Sequence, residues 1–496
     1  MIKKLLLPTL LGSLFATPLV QANPTLLAIG TLTGSSDGAN TDLSGLTYQL
    51  ENGLPANLLG GLGSGLAYAG GNTFIAIPDR GPNARTYDPL VDNTTSYIDR
   101  FHTISMELIA VPDHGRPYSL TPNLSGTTLL SSPSALNYGD GSLGTGTVGG
   151  IAYTLGSGIP ALNTTNKTYY FTGRSDGFGP GPSSNPSDAR FDPESVRVSR
   201  DGRSVFISDE YGPYIYQFDR ATGQRIRSFT LPNNLAVEHL GTTTASEGKP
   251  FNTTGRVANK GMEGLAITPD GRTLVGIMQA PLLQDRNGYL RLVTIDIASG
   301  ITHEYAYKLT TGTGVSDIVA INDHEFLVDE RDGKGMGDGT RAVVKQLFRI
   351  DIAHATDVSG IAVLQDSTFS GNLPTAVAVA KSASPVVDLV AILSAAGIAS
   401  EEIPAKIEGL AFGPDILDAS RGLMHTLFIA NDNDFVPSSE YADPGAPVSG
   451  QNTFFVVGLT DQDLPDYQGQ QIPLPSNAWL IGIGLLSLAG FVQKRW

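Results

Sequence analysis

The sequence has no cysteine in 496 residues, which excludes disulfide bonds, thiolate metal sites and thiol nucleophiles. Only 16% of the residues are charged, and the 32 basic residues are outnumbered by 48 acidic ones. The net charge of −16 repels nucleic acid and anionic lipid, so we expect no nucleic-acid partner and favour cations as ligands. The same excess of carboxylates also serves solubility in a secreted protein.

Histidine is scarce as well, and the seven histidines show no His-x-x-x-His or Glu-x-x-His spacing, which argues against a zinc site. The glycine-rich stretch Gly61–Gly65 precedes a predicted strand and not a helix, so we expect no dinucleotide-binding loop. Ser64 lacks the strand, sharp turn and helix of a nucleophile elbow. No serine triad is indicated.

Glycine and proline, in contrast, are abundant, with 58 and 31 residues. They indicate many turns between short elements and favour an all-β fold.

Both ends carry apolar runs. Residues 1–22 read as a signal peptide, with Lys3 and Lys4, an apolar core from about Leu5 to Leu19 and cleavage after Ala22. Residues 466–496 read as a linker followed by the apolar run Ala478–Val492 and a basic end, and this run is shorter than the about 20 residues of a typical membrane helix.

The C-terminal tail resembles the PEP-CTERM sorting signals of Gram-negative bacteria, with Pro473-Leu474-Pro475 in place of Pro-Glu-Pro. The resemblance implies processing by an exosortase-type protease and a location at the cell surface or in the extracellular matrix. A plain membrane anchor is the alternative, and in either case the C-terminal segment is the only expected contact with the membrane.

The chain repeats a hairpin unit of two strands joined by a turn, in which an acidic residue commonly precedes the first strand. The five copies are Ser64–Arg80, Glu194–Glu210, Glu263–Gln279, Ser316–Glu330 and Glu408–Asp432. A third predicted strand follows most copies. A fourth predicted strand follows some of them, and Arg225–Leu231 and Thr302–Leu309 are examples.

Four antiparallel strands repeated in this way predict an all-β β-propeller over residues 23–465. We expect six blades, the sixth assembled from Leu26–Leu50 and Gly146–Phe171, with an N-terminal strand closing the ring. Two excursions interrupt the repeats: a loop at Ser175–Phe191, and Val358–Ala405 with a helix near Val386–Ala396.

The inner strands of a propeller line one central channel, so residues at their starts are brought together. The ends of the second strands return to the same rim, because adjacent hairpin strands are antiparallel. Carboxylates at these positions suit Ca²⁺ better than Zn²⁺, and the predicted metal ligands are Glu194, Asp209, Glu263, Asp317, Asp329, Glu408 and Asp432. For any one of these acids, capping of a turn is the simpler interpretation.

The runs FDPESVRVSRDGRSVFISDEYGPYIYQFD, GMEGLAITPDGRTLVGIMQAPL and IPDRGPN resemble the bacterial family described as having an esterase-like activity of phytase. The likeness extends from about Leu26 to Leu459. It implies an extracellular propeller that hydrolyses phosphoesters, without fixing the substrate or the catalytic residues.

Two hypotheses follow. The first is a secreted, Ca²⁺-dependent phosphoester hydrolase with an anionic small-molecule substrate, in which metal and arginine neutralise phosphate and a carboxylate acts as base. Its candidate catalytic residues are Arg80, Glu194, Glu210, Glu263 and Arg331. The second is a non-catalytic propeller that is stabilised by calcium and binds a matrix component.

Overall fold

The computed structural model describes residues 24–32, 40–83, 94–111, 116–139, 145–148, 151–154, 158–242, 244–371, 374–435 and 451–473. The predicted signal peptide and the apolar run Ala478–Val492 lie outside these ranges. Within them, no helix combines the length and the apolar character needed for a membrane span.

The described residues form a β-propeller of five antiparallel sheets, each with its first strand innermost. Blade 1 contains Gly65–Tyr68, Thr73–Ile77, Arg100–Ser105 and Asn123–Leu129. Blade 2 contains Pro193–Val198, Ser204–Asp209, Ile215–Asp219 and Arg225–Ser228. Blade 3 contains Met262–Ile267, Thr273–Met278, Tyr289–Asp296 and Thr302–Lys308.

The last two blades are less regular. Blade 4 contains Gly314–Ala320, Glu325–Arg331 and Lys345–Asp351, and its outer edge is shared by the short strands Ala380–Lys381 and Val387–Asp388. Blade 5 contains Ile407–Phe412, Gly422–Asn431 and Asn452–Leu459, with Thr25–Leu32 as its outermost strand. The predicted closure of the ring by an N-terminal strand is therefore confirmed.

The remaining elements in the described part of the chain are short. Three strand pairs lie outside the blades or extend them: Leu108–Ala110 with Tyr118–Leu120, Ser131–Ser132 with Tyr169–Tyr170, and Thr145–Val148 with Ile151–Thr154. Ile416–Asp418 pairs with the start of Gly422–Asn431. The helices are Ala161–Asn166, Asp366–Phe369 and Leu389–Ala395, with 3-10 turns at Asn233–Leu235 and Thr244–Glu247.

The prediction of a sixth blade is wrong for the described residues. Neighbouring inner strands contact each other from blade 1 through blade 5 and back to blade 1, so five blades already close the ring. Thr25–Leu32 joins blade 5, and the described part of residues 146–171 forms only a hairpin, a short helix and one two-residue strand. These pieces are too short to supply a four-stranded sheet.

The hydrophobic core is divided into five main clusters, one in each interface between neighbouring blades. Each sheet is covered on both faces, which explains why inner strands such as Met262–Ile267 are buried at every residue. Close packing near the axis requires glycine: a Cβ on Gly65 would lie 2.8 Å from the Cα of Ser195 in the next blade.

The turns that join first and second strands lie on the face opposite the strand starts, which we call the far face. Asp201 and Asp270 each accept a hydrogen bond from the backbone two residues on, while Gly202 and Gly271 have φ near +73° and +72°. Asp201 and Asp270 are therefore ordinary turn residues, in which aspartate caps the turn and glycine adopts the positive φ.

Residues 464–473 cross the far face. Tyr467 packs its ring on Phe412 and His425, at centroid distances of 4.7 and 4.2 Å. The backbone of Gln468 then donates to Ile321 in blade 4, and the side chain of Gln470 donates to Val198 in blade 2. We call residues 464–473 the strap.

His102 supplies a prediction about stability and pH. It is fully buried in blade 1, its Nδ1 lies 3.0 Å from Thr127, and burial lowers its pKa to about 4. The unfolded chain titrates near 6.5 and binds more protons between these values, so stability is lost as pH falls from about 6.5 to about 4, by about 3 kcal/mol.

Replacing His102 with asparagine should reduce the loss of stability over that pH range, measured as the difference in free energy of unfolding from the parent chain. The exposed His239, replaced in the same way, is the matched control. An unchanged pH dependence for the His102 variant would contradict the prediction.

Candidate functional site

The predicted rim exists at the face where the inner strands begin, which we call the mouth. Blades 2 to 5 each have an irregularity in register at the start of the inner strand, at Pro193/Val196, Met262/Gly264, Val315/Ile318 and Ile407/Leu410. A β-bulge re-aims the side chains that it contains. Glu194, Glu263, Asp317 and Glu408 all lie within these bulges, so one local feature places four of the predicted ligands.

Five carboxylates form the acidic cluster at the mouth, and all are buried. They are Asp192, Glu194, Glu210, Glu263 and Glu408. Ligand oxygens of Asp192, Glu194 and Glu210 lie within 4.8 Å of one another. Asp192 was not among the predicted ligands, although it lies only two residues before Glu194 in the same motif.

Burial and mutual repulsion perturb the acidic cluster. Burial, followed by the charges of Glu263, Asp192 and Glu210, raises the pKa of Glu194 well above its usual value. The pKa of Glu263 is also raised, by burial and by the charges of Glu210 and Glu408. Such strongly perturbed groups concentrate at functional sites, because catalysis and metal binding require unusual environments.

The carboxyl groups of Glu210 and Glu263 lie within hydrogen-bond reach of each other, and two fully buried oxygens of this pair accept no hydrogen bond from a donor group among the described residues. They are Oε1 of Glu210 and Oε2 of Glu263. The other oxygen of Glu263 accepts a hydrogen bond of 2.7 Å from Gln279 Nε2. Buried polar atoms are nearly always satisfied, so these oxygens require a partner such as an ordered water molecule or a cation.

Three cations beside the acidic cluster are paired with carboxylates. Arg80 Nη1 lies 3.0 Å from Asp192 and 2.7 Å from Asn259. Arg331 pairs with Glu408, and its Nη2 lies 3.7 Å from Glu263. Lys406, which the sequence did not single out, lies 2.8 Å from Asp432 and also pairs with Asp434.

Asp317 lies away from the acidic cluster, in a buried ion pair between the inner strands. Arg197 reaches across from blade 2 and binds both oxygens of Asp317 at 2.9 Å. The same pair also contacts the backbone of blades 1, 3 and 5, through Leu66, Leu265 and Leu410. The pair therefore ties all five blades together and gives Asp317 a structural partner.

Asp209 and Asp432 also have other partners. Asp209 accepts hydrogen bonds from the backbone of Asp192 at 2.7 Å and of Gly212 at 2.5 Å, and burial raises its pKa to about 7. It shapes the loop that carries the acidic cluster. Asp432 is held by Lys406 and accepts a hydrogen bond from the backbone of Asp434.

Asp329 is fully buried, and neither of its oxygens has a hydrogen-bond partner in the described part of the chain. Burial raises its pKa to about 8, while Arg331 and Lys345 act in the opposite direction. Asp99 in blade 1, which the sequence did not single out, also has two oxygens without a hydrogen-bond partner in the described part of the chain. Burial and the nearby charges of Asp192 and Asp209 raise its pKa. No motif around Asp99 distinguishes it, because its position depends on the third strand of its blade.

The model of a protein family described as "Phytase-like: Esterase-like activity of phytase" matches residues 57–435. A protein of Arthroderma benhamiae described as "Uncharacterized secreted protein" is 30% identical over 265 residues, which cover 48% of this chain. The match spans only 47% of the length of that relative.

Solved structures resemble the chain only weakly. Hydrazine synthase of Kuenenia stuttgartiensis is 12% identical, with a TM-score of 0.29 and coverage of 75% of this chain and 78% of that one. The PQQ-bound aldose sugar dehydrogenase of Streptomyces coelicolor is 10% identical, with a TM-score of 0.28 and coverage of 88% and 95%. Similarity at this level supports no argument about function.

Proposed function

The chain belongs to the phytase-like family, described as having an esterase-like activity of phytase, and on that premise we propose that it is an exported, Ca²⁺-dependent hydrolase of phosphoesters. The observation that carries the proposal is the group Asp192, Glu194 and Glu210, whose ligand oxygens lie within 4.8 Å of one another. Oxygens at about 2.4 Å from one Ca²⁺ are separated by no more than about 4.8 Å.

The donor set supports calcium. The group offers only carboxylate oxygens, which hard cations prefer, whereas zinc favours histidine and cysteine. A divalent cation would offset the repulsion within the acidic cluster and would give the free Oε1 of Glu210 a partner. When bound, it would supply neutralisation of phosphate oxygens and a lower pKa for a water molecule.

In this proposal, three further residues of the mouth bind phosphate and accept a proton. Arg80 and Arg331 keep 16% and 13% of their side chains exposed, so they can turn toward phosphate oxygens. Glu263 lies outside the group of three and has a free oxygen. We assign it the role of general base, for which a raised pKa is suitable.

A second candidate function is a calcium-stabilised propeller that binds a component of the extracellular matrix without catalysis. The observation that favours it is the pairing of Arg80, Arg331 and Lys406 with carboxylates. A mouth in which these three cations are already neutralised is less prepared for an anionic substrate. In this function, calcium serves only stability.

Export is supported by the signal-like N-terminus and by the relative described as secreted. We propose that the tail from residue 474 onward retains the protein at the cell surface until an exosortase-type protease cleaves it. Mass spectrometry of the mature C-terminus would test this, and an intact tail on released protein would contradict it.

The test of function is release of p-nitrophenol or phosphate from mono- and diester substrates, with Ca²⁺ and with chelator. We expect turnover only with Ca²⁺, together with a rise in thermal stability. At a concentration of 100 times Kd, binding stabilises the fold by about 2.7 kcal/mol. Stabilisation without turnover on a broad panel would favour the binding module, and the absence of both would refute calcium in either role.

A further inference from the structure

Exposed apolar side chains lie on two short hairpins that project from the far face. In blade 5, Leu417 is 81% exposed and faces Leu423, 48% exposed, across Ile416–Asp418 and the start of the next strand. In blade 1, Ile109 is 55% exposed on the hairpin of Leu108–Ala110 and Tyr118–Leu120. We call Ile109, Leu417 and Leu423 the apolar hairpin residues.

The two hairpins are fixed relative to each other. The hydroxyl of Tyr118 donates to Asp418 at 3.4 Å, which joins the hairpin of blade 1 to that of blade 5. Asp418 also accepts hydrogen bonds of 2.9 Å from the backbone of Ser420 and Arg421, so the turn is ordered. The two ordered hairpins therefore present three exposed apolar side chains on the same face of the propeller.

The course of the chain indicates what covers this surface. The strap crosses the far face, and Ile472 lies beside Gly70 and Gly202, in the turns of blades 1 and 2. Only four residues then separate Pro473 from the apolar run Ala478–Val492. Five residue steps span at most about 17 Å, and Pro473, to which they are attached, lies beside Gly70 and Gly202 on the far face.

The composition of the C-terminal tail favours a lipid bilayer as the partner that covers the apolar hairpin residues. The only two tryptophans of the chain, Trp479 and Trp496, stand at the two ends of this apolar run. Tryptophan is enriched where protein meets the surface of a bilayer. A second copy of the chain is less suitable as the occupant, because three side chains bury far less than the roughly 1,200 Å² of a stable interface.

We propose that the far face rests on a lipid bilayer, with the apolar hairpin residues in the interfacial layer and the mouth directed away from the membrane. The tail holds the propeller at the surface, and the hairpins fix its orientation. Burial of one leucine side chain contributes about 1.5–3 kcal/mol, or roughly tenfold or more in binding. The acidic mouth would then face the medium, where a soluble ligand can reach it.

The absence of cysteine makes the test direct, since one introduced cysteine is the only labelling site. The chain, retained through Trp496, would carry Leu417→Cys with an environment-sensitive fluorophore and be mixed with phosphatidylcholine vesicles that contain a lipid-borne quencher. The control is Phe251→Cys, 55% exposed in the loop on the mouth side. We expect a blue shift and quenching at position 417 and neither at position 251.

A second comparison measures affinity. Leu417→Asp combined with Leu423→Asp should weaken vesicle binding about tenfold or more, whereas Phe251→Asp should leave it unchanged. Vesicle binding without quenching at position 417, equal quenching at both labels, or no vesicle binding would each overturn the proposal. So would a blue shift that depends on protein concentration and not on lipid, which would indicate a second copy.

Discussion

Replacing both Glu194 and Glu263 with glutamine is expected to lower kcat/KM for phosphoesters at least about 100-fold. The double variant removes the negative charge of one of the three clustered ligands, Glu194, and the carboxylate of Glu263, which is assigned the role of base. A general base alone contributes about 10²–10⁴-fold. Because glutamine preserves the volume of glutamate, the measurement reports on charge and not on packing.

The same variant should be more stable than the parent chain when calcium is removed. Both glutamates are buried beside other acids, and both have raised pKa values. A raised pKa means that ionising these groups is less favourable in the folded chain than in the unfolded one, and glutamine, which does not ionise, removes that cost. Calcium should in turn stabilise the variant less than it stabilises the parent chain.

The matched control is Glu238→Gln, an exposed acid on the mouth-side loop between blades 2 and 3. It should change neither activity nor the response to calcium. Full activity in the double variant would eliminate the proposed mechanism. Lost activity accompanied by a fall in calcium-free stability would show instead that the two residues support the fold.

Asp317→Ala should lower the free energy of unfolding by about 3–5 kcal/mol, measured by urea denaturation. The change leaves Arg197 as an uncompensated charge in the centre of the propeller, where Asp317 is fully buried. It also removes the acceptor for Ser195 Oγ and for the backbone of Leu410. Contacts between several blades are lost at once.

Asp323→Asn, an exposed change six residues along the same hairpin, should alter stability by less than about 0.5 kcal/mol. Comparison of the two variants also separates a structural role of Asp317 from a role in metal binding. If Asp317→Ala abolished the calcium response while stability without calcium stayed unchanged, Asp317 would be a ligand after all and the ion-pair interpretation would be refuted.

The repeat pattern predicted the blades well, because hairpins depend on local signals. Asp201-Gly202 and Asp270-Gly271 specify turns, and the apolar runs beside them specify strands. The helix near Val386–Ala396 was likewise predicted, and it is present as Leu389–Ala395. The number of blades was not predictable in this way, because ring closure depends on how inner strands pack around the axis.

The geometry of the mouth was predicted only in part. Glu194, Glu263 and Glu408 recur at equivalent positions, and this recurrence places them at one rim. Asp317 recurs in the same way, yet it pairs with Arg197 inside the channel. Side-chain direction within a bulge is set by backbone register, which depends on the neighbouring strand.

The hairpin repeats, the all-β propeller and the acidic character of one rim could be predicted from the amino-acid sequence, because turn residues, apolar periodicity and recurrence specify them. Closure of the ring by five blades and the grouping of Asp192 with Glu194 and Glu210 are evident only from the folded chain. The same holds for the ion pair of Arg197 with Asp317 and for the position of the strap and hairpins on the far face. These features depend on contacts between residues far apart in the chain, which no local pattern encodes.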